Sequence, residues 1–481
     1  MPASHFTFVP ERDKKKQGSL TEQIETSITL AIQERRLRPG MALPSIRKFA
    51  QQYDISTFTV ANAYSRLVTK GWLSAKAGSA YRVAHKPRTS QVYALQHWQA
   101  PKLDQGWLLS DIFADQSIPV KAGCGWLPNE WLEQLGLTQA FRELATINAK
   151  LLTSYGHPYG YTPLREQICA EMHQHGLRAE RHNVVMTRGA TEAIDLTIRS
   201  LLRPGETVIV EAPCYANLLH MLRMAGLRVI SVPRTTEGVD IQLLAEQIKT
   251  YQPRAICINT VLQNPTGSSM NHANALGLLK LLKQHDMLLI EDDVSRELLP
   301  GAAPLLAALE GLEKVIYIGG YSKSVSPSMR VGYVVASTEL ARQLVHTKMA
   351  VGLTSPEIME RVVLSIIQSS NYPEHLQHLR SRLQEAHIQV MGLMDERNFQ
   401  IFERPKAGLF LWAKPPETAS PTGANNLTQA ALDDGIWLAP GSYFDSQEKD
   451  STWMRFHVGY SHHPKLWQFL DHRLAKCRTP A

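Results

Sequence analysis

Six short apolar runs between residues 184 and 318 constrain this chain more than anything else in it. They are Val184-Val185-Met186-Thr187, Thr207-Val208-Ile209-Val210, Arg228-Val229-Ile230-Ser231, Ala255-Ile256-Cys257-Ile258, Met287-Leu288-Leu289-Ile290 and Val315-Ile316-Tyr317-Ile318. Each is followed by a segment long enough for a turn and a helix. That alternation predicts an α/β fold, a mostly parallel sheet with helices on both faces. The runs are rich in β-branched residues, as strands covered on both faces are. In open sheets of this kind ligands bind beyond the carboxyl ends of the strands, so the residues just after each run carry the functional information. No Gly-x-Gly-x-x-Gly follows any of them, which argues against a dinucleotide fold.

After the first run, Arg188-Gly189-Ala190-Thr191-Glu192 opens a helix. Backbone N–H groups there, with a glycine and a hydroxyl, can cradle an anion; an ordinary capped helix looks the same. After the fourth stands Asn264-Pro265-Thr266-Gly267, which also reads as a turn, and after the fifth Glu291-Asp292-Asp293, with no histidine near to complete a metal site. After the sixth, Gly319-Gly320-Tyr321-Ser322-Lys323 places a lysine just past a strand, with a hydroxyl beside it and Arg330 seven residues on. Alone, Lys323 is an ordinary loop lysine. A phosphate cradle, an amide, a carboxylate, a lysine and an arginine together are what pyridoxal phosphate requires: an amine for its aldehyde, an acid for its pyridine nitrogen and donors for its phosphate. Such a lysine must be partly deprotonated, with a pKa below the usual value of about 10.4.

Charge separates the start of the chain from this body. Residues 11–88 hold 15 Lys/Arg against 6 Asp/Glu, a net +9 in a chain of net +7, so the remainder is slightly acidic. That asymmetry suggests a polyanion-binding module on a near-neutral body. Apolar positions Leu20, Ile24, Ile28 and Ala31 predict a helix ending near Arg38-Pro39-Gly40. Ser45 is a candidate N-cap for a short helix with Ile46, Phe49 and Ala50 inward. After the turn Asp54-Ile55-Ser56, a third helix runs from about Thr57 to Lys70 and stops at Gly71; Leu73 to Val83 reads as a hairpin around Ala77-Gly78-Ser79. This is the order of a winged helix-turn-helix, whose helix after the turn enters the DNA major groove; a three-helix protein-binding domain has the same periodicity. Residues 1–18 read as a flexible arm, 19–84 as the DNA-binding module, 85–115 as a linker and 116–481 as the body. Five scattered cysteines without a Cys-x-x-Cys pair, and histidines without companions at ligand spacing, predict no disulfide framework, no metal and a reducing cytoplasm. Nothing reads as a membrane span or a signal peptide.

The run from Leu37-Arg38-Pro39-Gly40 through Ser45-Ile46-Arg47-Lys48-Phe49-Ala50, with Thr59-Val60-Ala61-Asn62-Ala63-Tyr64 beyond, resembles the GntR-type DNA-binding domain. The resemblance implies double-stranded DNA as partner, Arg47 on phosphate or base, Ser56, Thr57 and Thr59 lining the start of the recognition helix, and Gly78 in the wing. Members often carry arginine where Thr57 stands, so sequence preference should differ. From Tyr155-Gly156-His157-Pro158-Tyr159-Gly160 to Arg455 the body resembles the fold-type I aminotransferase superfamily, with a small C-terminal α+β subdomain, and the whole chain resembles MocR-type transcriptional regulators. Carried over, Lys323 is the Schiff-base lysine and Asp292 the pyridinium partner. Asn264 bonds the phenolic oxygen, Tyr215 stacks on the ring, and Ala190, Thr191, Ser322 and Arg330 hold the phosphate. Arg455 forks onto a substrate or effector carboxylate. Two residues depart from the pattern: Val294 and Ser295 stand where a tyrosine is usual, and Gly320 where a Ser or Thr adds a phosphate contact. The expectation is a homodimeric regulator that senses an amino acid or amine through the cofactor; the alternative is a working aminotransferase with an accessory DNA-binding module.

Overall fold

The computed structural model describes residues 8–10, 19–33, 36–37, 40–75, 81–84, 118–145, 153–416 and 423–476. The chain divides into two compact units, Met1–Gln96 and His97–Ala481. The N-terminal unit comprises α1 (Leu20–Gln33), α2 (Ile46–Tyr53), α3 (Thr57–Thr69) and the antiparallel pair β1 (Leu73–Ser74) and β2 (Arg82–Val83). Ser45 caps α2, its hydroxyl accepting from Lys48 N at 3.3 Å, and Ser56 caps α3, accepting from Thr59 N at 3.1 Å. Between them Asp54 takes the left-handed turn at φ 52°, a conformation Asp and Asn tolerate better than most residues. Ile24 and Ile28 from α1, Phe49 from α2 and Val60, Tyr64 and Leu67 from α3 close one core under the hairpin. Within the stretch read as an arm, Phe8 is buried at 4 % exposure and its ring meets Tyr53 edge-on at 5.6 Å. The wing tip, with Gly78, and the segment read as a linker lie outside the described residues.

The large unit is a three-layer sandwich. Its sheet contains β3 (Val184–Thr187), β4 (Thr207–Ala212), β5 (Arg228–Thr235), β6 (Gly238–Val239), β7 (Ala255–Asn259), β8 (Leu288–Asp292), β9 (Val315–Gly320) and β10 (Gly332–Val335), in the order β3-β10-β9-β8-β7-β4-β5-β6. The pairings among β5, β4, β7, β8 and β9 are parallel, while β10 runs antiparallel to both β9 and β3. The six apolar runs are all strands of this sheet. Alternate side chains feed different cores, as the two-residue period of a strand requires: Leu289 and Tyr317 join the larger cluster, Ile290 and Ile316 the smaller one. Helices α6 (Ala190–Leu201), α7 (Ala216–Met224) and α11 (Thr338–Gly352) cover the smaller cluster. The larger one is packed by α5 (Thr162–Gln174), α8 (Ile241–Tyr251), α9 (His272–Gln284), α10 (Leu306–Glu310), α12 (Glu357–Ile367) and α13 (Tyr372–Asp395), with α4 (Leu137–Leu144) beside α12. A second antiparallel sheet, β11 (Gln400–Ile401), β12 (Phe410–Lys414), β14 (Met454–His457) and β13 (Ala439–Pro440) in that order, sits with α14 (Gly423–Asp433) and α15 (Pro464–Lys476) as the small subdomain. Among the described residues no helix is long and apolar enough to cross a membrane.

Candidate functional site

The carboxyl ends of β7 and β8 come level, with Asn259 opposite Asp292. Of the acidic run at the end of β8, two members are already engaged. Glu291 accepts from Thr260 Oγ1 at 2.8 Å and from the first amides of α10, Leu306 N and Ala307 N, at 3.0 and 2.9 Å. Asp293 is ion-paired in the interior with Arg296 through Oδ2, although its own Oδ1 also lacks a hydrogen-bond partner. Asp292 is left over. Its Oδ1 is buried and without a hydrogen-bond partner, an expensive arrangement unless a donor arrives from outside the chain. Burial, and next the like charge of Asp293, pushes its carboxyl up to about 7, against the opposing pull of Val294 N–H and Lys323.

Lys323 lies three residues past β9, half-buried, its ammonium donating to the carbonyl of Gly125. Burial pushes its pKa down to about 8, and the cations of Arg455 and Arg330 push the same way against Cys124 and Asp292. About a tenth of the amine is therefore free base at pH 7, far more than for an ordinary lysine with a pKa of about 10.4, and the free base is the form that attacks an aldehyde.

Gly189, at φ 83°, turns the chain from β3 into α6 so that Ala190 and Thr191 form the helix N-terminus. Arg330, itself at φ 51°, lies over that turn: its Nη2 donates to Arg188 O at 3.1 Å, and a Cβ on Gly189 would sit 2.7 Å from it. On the other side, a Cβ on Gly332 would lie 2.5 Å from Gly189 C and 2.6 Å from Ala190 N. A guanidinium above a helix N-terminus places two sources of positive potential at one point, an arrangement that suits an anion. Ser322 is half-buried beside Lys323. The Thr191 hydroxyl reaches the phenol of Tyr215, which also accepts from Asn217 Nδ2 at 3.0 Å. At Gly320 a Cβ would stand 3.4 Å from Gly332 Cα and Val331 O, an ordinary contact distance, so the backbone leaves room for the hydroxyl side chain that was expected and the glycine simply lacks it.

Arg455 comes from β14 and is only 6 % exposed. Its Nη1 donates to Asn264 Oδ1 at 2.7 Å and its Nη2 to Gly123 O at 2.6 Å, while Nε is buried with no partner. The rings of Phe410 and Phe444 flank it at 4.6 and 4.8 Å. No carboxylate pairs with this buried cation among the described residues. Burial lowers its pKa to about 10, so it remains charged at neutral pH. Asn264 is held by its own amide, which donates to Asn259 Oδ1 at 2.8 Å; Asn259 Nδ2 in turn donates to the backbone oxygen of Asp292 at 2.8 Å. One polar chain thus ties Asp292 to Arg455.

The structure therefore brings Lys323, Asp292, Asn264, Tyr215, Thr191 and Arg455 to one end of the sheet, with Ala190 and Arg330 at the edge formed by the N-terminus of α6. The loop Gly123-Cys124-Gly125, whose carbonyls hold Arg455 and Lys323, escaped the sequence reading; its paired glycines were the available signal. Ser295 is buried and starts the turn Arg296–Leu298 with its carbonyl bonded to Leu298 N. In the other unit Arg47 is exposed in the first turn of α2, Thr57 is exposed and Thr59 half-buried in the first turn of α3, and the hydroxyl of Ser56 is engaged as the cap. Among the described residues no three His, Cys, Asp or Glu side chains gather as a metal site.

A lysine, a spare carboxylate and an anion-binding helix end at the carboxyl edge of this sheet define a pyridoxal-phosphate-type aminotransferase fold. Residues 134–466 match the family of class I and II aminotransferases, and residues 20–83 match the bacterial regulatory proteins of the gntR family. The chain belongs to both, in the MocR-type architecture of transcriptional regulators. It is 30 % identical over 458 residues to the uncharacterized HTH-type transcriptional regulator YdcR of Escherichia coli (strain K12), covering 93 % of this chain and 95 % of that one. With the HTH-type transcriptional regulator NorG of Staphylococcus aureus it shares 26 % identity over 383 residues, 77 % of this chain and 86 % of that protein. Among solved structures it is similar to the α-aminoadipate aminotransferase LysN of Thermus thermophilus, complexed with N-(5'-phosphopyridoxyl)-L-leucine. The TM-score is 0.69 at 26 % identity, over 76 % of this chain and 96 % of that chain.

Proposed function

We propose that this regulator carries pyridoxal phosphate on Lys323 and uses it to sense an amino acid or amine, passing the signal to DNA through its N-terminal unit. The observation that carries this reading is the unpartnered, buried Asp292 Oδ1 beside a lysine held at about 8. A pyridine nitrogen would supply the missing donor. When bound, the cofactor supplies an aldehyde that exchanges one amine for another and a ring that accepts electron density. The chain's own residues do the rest. Lys323 presents a free amine, and Asp292 keeps negative charge at the ring. Ala190, Thr191, Ser322 and Arg330 hold the phosphate, and Tyr215 covers the ring. Asn264 orients the phenolic edge and also holds Arg455, which receives the effector's carboxylate in place of the Gly123 carbonyl.

Sensing is favoured over turnover by Ser295, which stands in a tight turn where a tyrosine hydroxyl is expected. With this shorter and less acidic hydroxyl in place of a phenol, amine exchange on the cofactor would remain possible while repeated transamination would be weak. Two chains reading paired half-sites complete the proposal, with the protein working in the cytoplasm. Purified protein should show a visible absorbance that Lys323→Ala abolishes. A colourless wild type after incubation with the cofactor would overturn the reading, and sustained keto-acid-dependent cycling would favour the aminotransferase instead.

A further inference from the structure

The first turn of α3 carries a residue whose placement the fold does not use. Val60, Ala63, Tyr64 and Leu67 bury one stripe of this helix, and the opposite face shows Thr57, Asn62, Ser65 and Arg66 to solvent. On that polar face stands Phe58, 78 % exposed. It is the second residue of the helix, directly after the Ser56 cap and Thr57. A fully presented phenyl ring contributes nothing to the core and leaves apolar surface in water, which a soluble domain tolerates singly but gains nothing from. The same turn is rigid, because Ser56 Oγ accepts from Thr59 N at 3.1 Å and lies 3.2 Å from Thr59 Oγ1.

The chemistry of the ring selects its counterpart. Phenylalanine neither donates nor accepts a hydrogen bond, so it cannot read the donor and acceptor pattern of a base edge. Among the base edges exposed in the major groove, the thymine C5-methyl is the apolar contact. The N-terminal turn of a helix-turn-helix recognition helix is the part that reaches base edges. Arg47 and Lys48, both exposed on α2, and the net +9 of residues 11–88 provide the surrounding attraction to phosphate. We infer that Phe58 is a specificity-determining residue that reads a thymine methyl in the major groove. This rests on the DNA-binding part of the proposed function.

The test uses the full-length protein. Motifs are selected from a random duplex library at about 150 mM salt, and each thymine of the wild-type motif is then replaced in turn by deoxyuridine, which removes only the methyl. Binding is expected to weaken roughly fourfold at one position per half-site, the worth of one buried methyl group. Phe58→Ala should bind the thymine and uracil duplexes alike and select a motif relaxed at that position, with an unchanged melting temperature because the ring is outside the core. Uniform tolerance of deoxyuridine by the wild type, or a Phe58→Ala protein that still discriminates, overturns the inference and leaves the regulator reading standing. If the wild type enriches no motif, the regulator reading fails and takes this inference with it.

Discussion

Replacing Asp292 by Asn should stabilise the cofactor-free protein while weakening its hold on pyridoxal phosphate. Without the cofactor Asp292 is a buried carboxyl with an orphan oxygen, lifted from the ordinary aspartate value of 3.8 to about 7 chiefly by burial. That lift corresponds to roughly 4 kcal/mol at full burial, and water reaching a half-buried side chain reduces it to about 2 kcal/mol. The sign follows from the raised folded-state value. Below about pH 4 the group is protonated folded or unfolded and costs nothing; the penalty grows as pH rises and is complete above about pH 7. Asparagine removes the charge and keeps an oxygen for the Val294 amide. Urea unfolding of cofactor-free protein should therefore give Asp292→Asn the higher midpoint at pH 8, with the gap shrinking toward pH 5. Adding the cofactor should reverse the order, since only the carboxylate gains a charged partner. Equal midpoints at pH 8, or a less stable Asp292→Asn protein without cofactor, would refute the reasoning.

Arg455→Ala should leave the cofactor's spectrum in place but weaken the response to α-amino acids roughly 10- to 100-fold, the worth of a charge-assisted carboxylate contact. Simple amines should respond as before, and spectral titration separates the two. Gly332→Ala places a methyl within 2.6 Å of the backbone at Gly189 and Ala190. It should cost about 1–3 kcal/mol of stability in thermal melts and raise the dissociation constant of pyridoxal phosphate by displacing the anion-binding turn.

Most of the sheet was legible in the chain because its strands are short, apolar and closed by polar turns; β3 begins and ends where its residues predict. Two members escaped that reading, the two-residue β6 and the longer β10. Gly332-Tyr333-Val334-Val335 carries a strand pattern of its own but follows so closely on the Arg330 loop that it reads as the loop's continuation. The acidic run was undecidable for a different reason. What separates Asp292 from Glu291 and Asp293 is that α10 and Arg296 claim the other two, which only the folded chain reveals. The same holds for Arg455, whose lack of an acidic partner depends on Gly123 and Asn264, 332 and 191 residues away. In the N-terminal unit the cap at Ser45 was readable from residue type alone, whereas the cap role of Ser56, read only as the end of a turn, and the exposure of Phe58 needed the folded helix to be known.

The coupling between Lys323 and DNA tests the proposal most directly. Full-length protein loaded with pyridoxal phosphate would be titrated onto its selected duplex with and without each amino acid, beside Lys323→Ala treated identically. At least one amino acid should change the wild type's DNA affinity at the concentration that changes its visible spectrum, and Lys323→Ala should bind the duplex with no response to it. A Lys323→Ala protein that still responds, or a wild type whose spectrum changes while its DNA affinity stays constant for every amino acid, would contradict it.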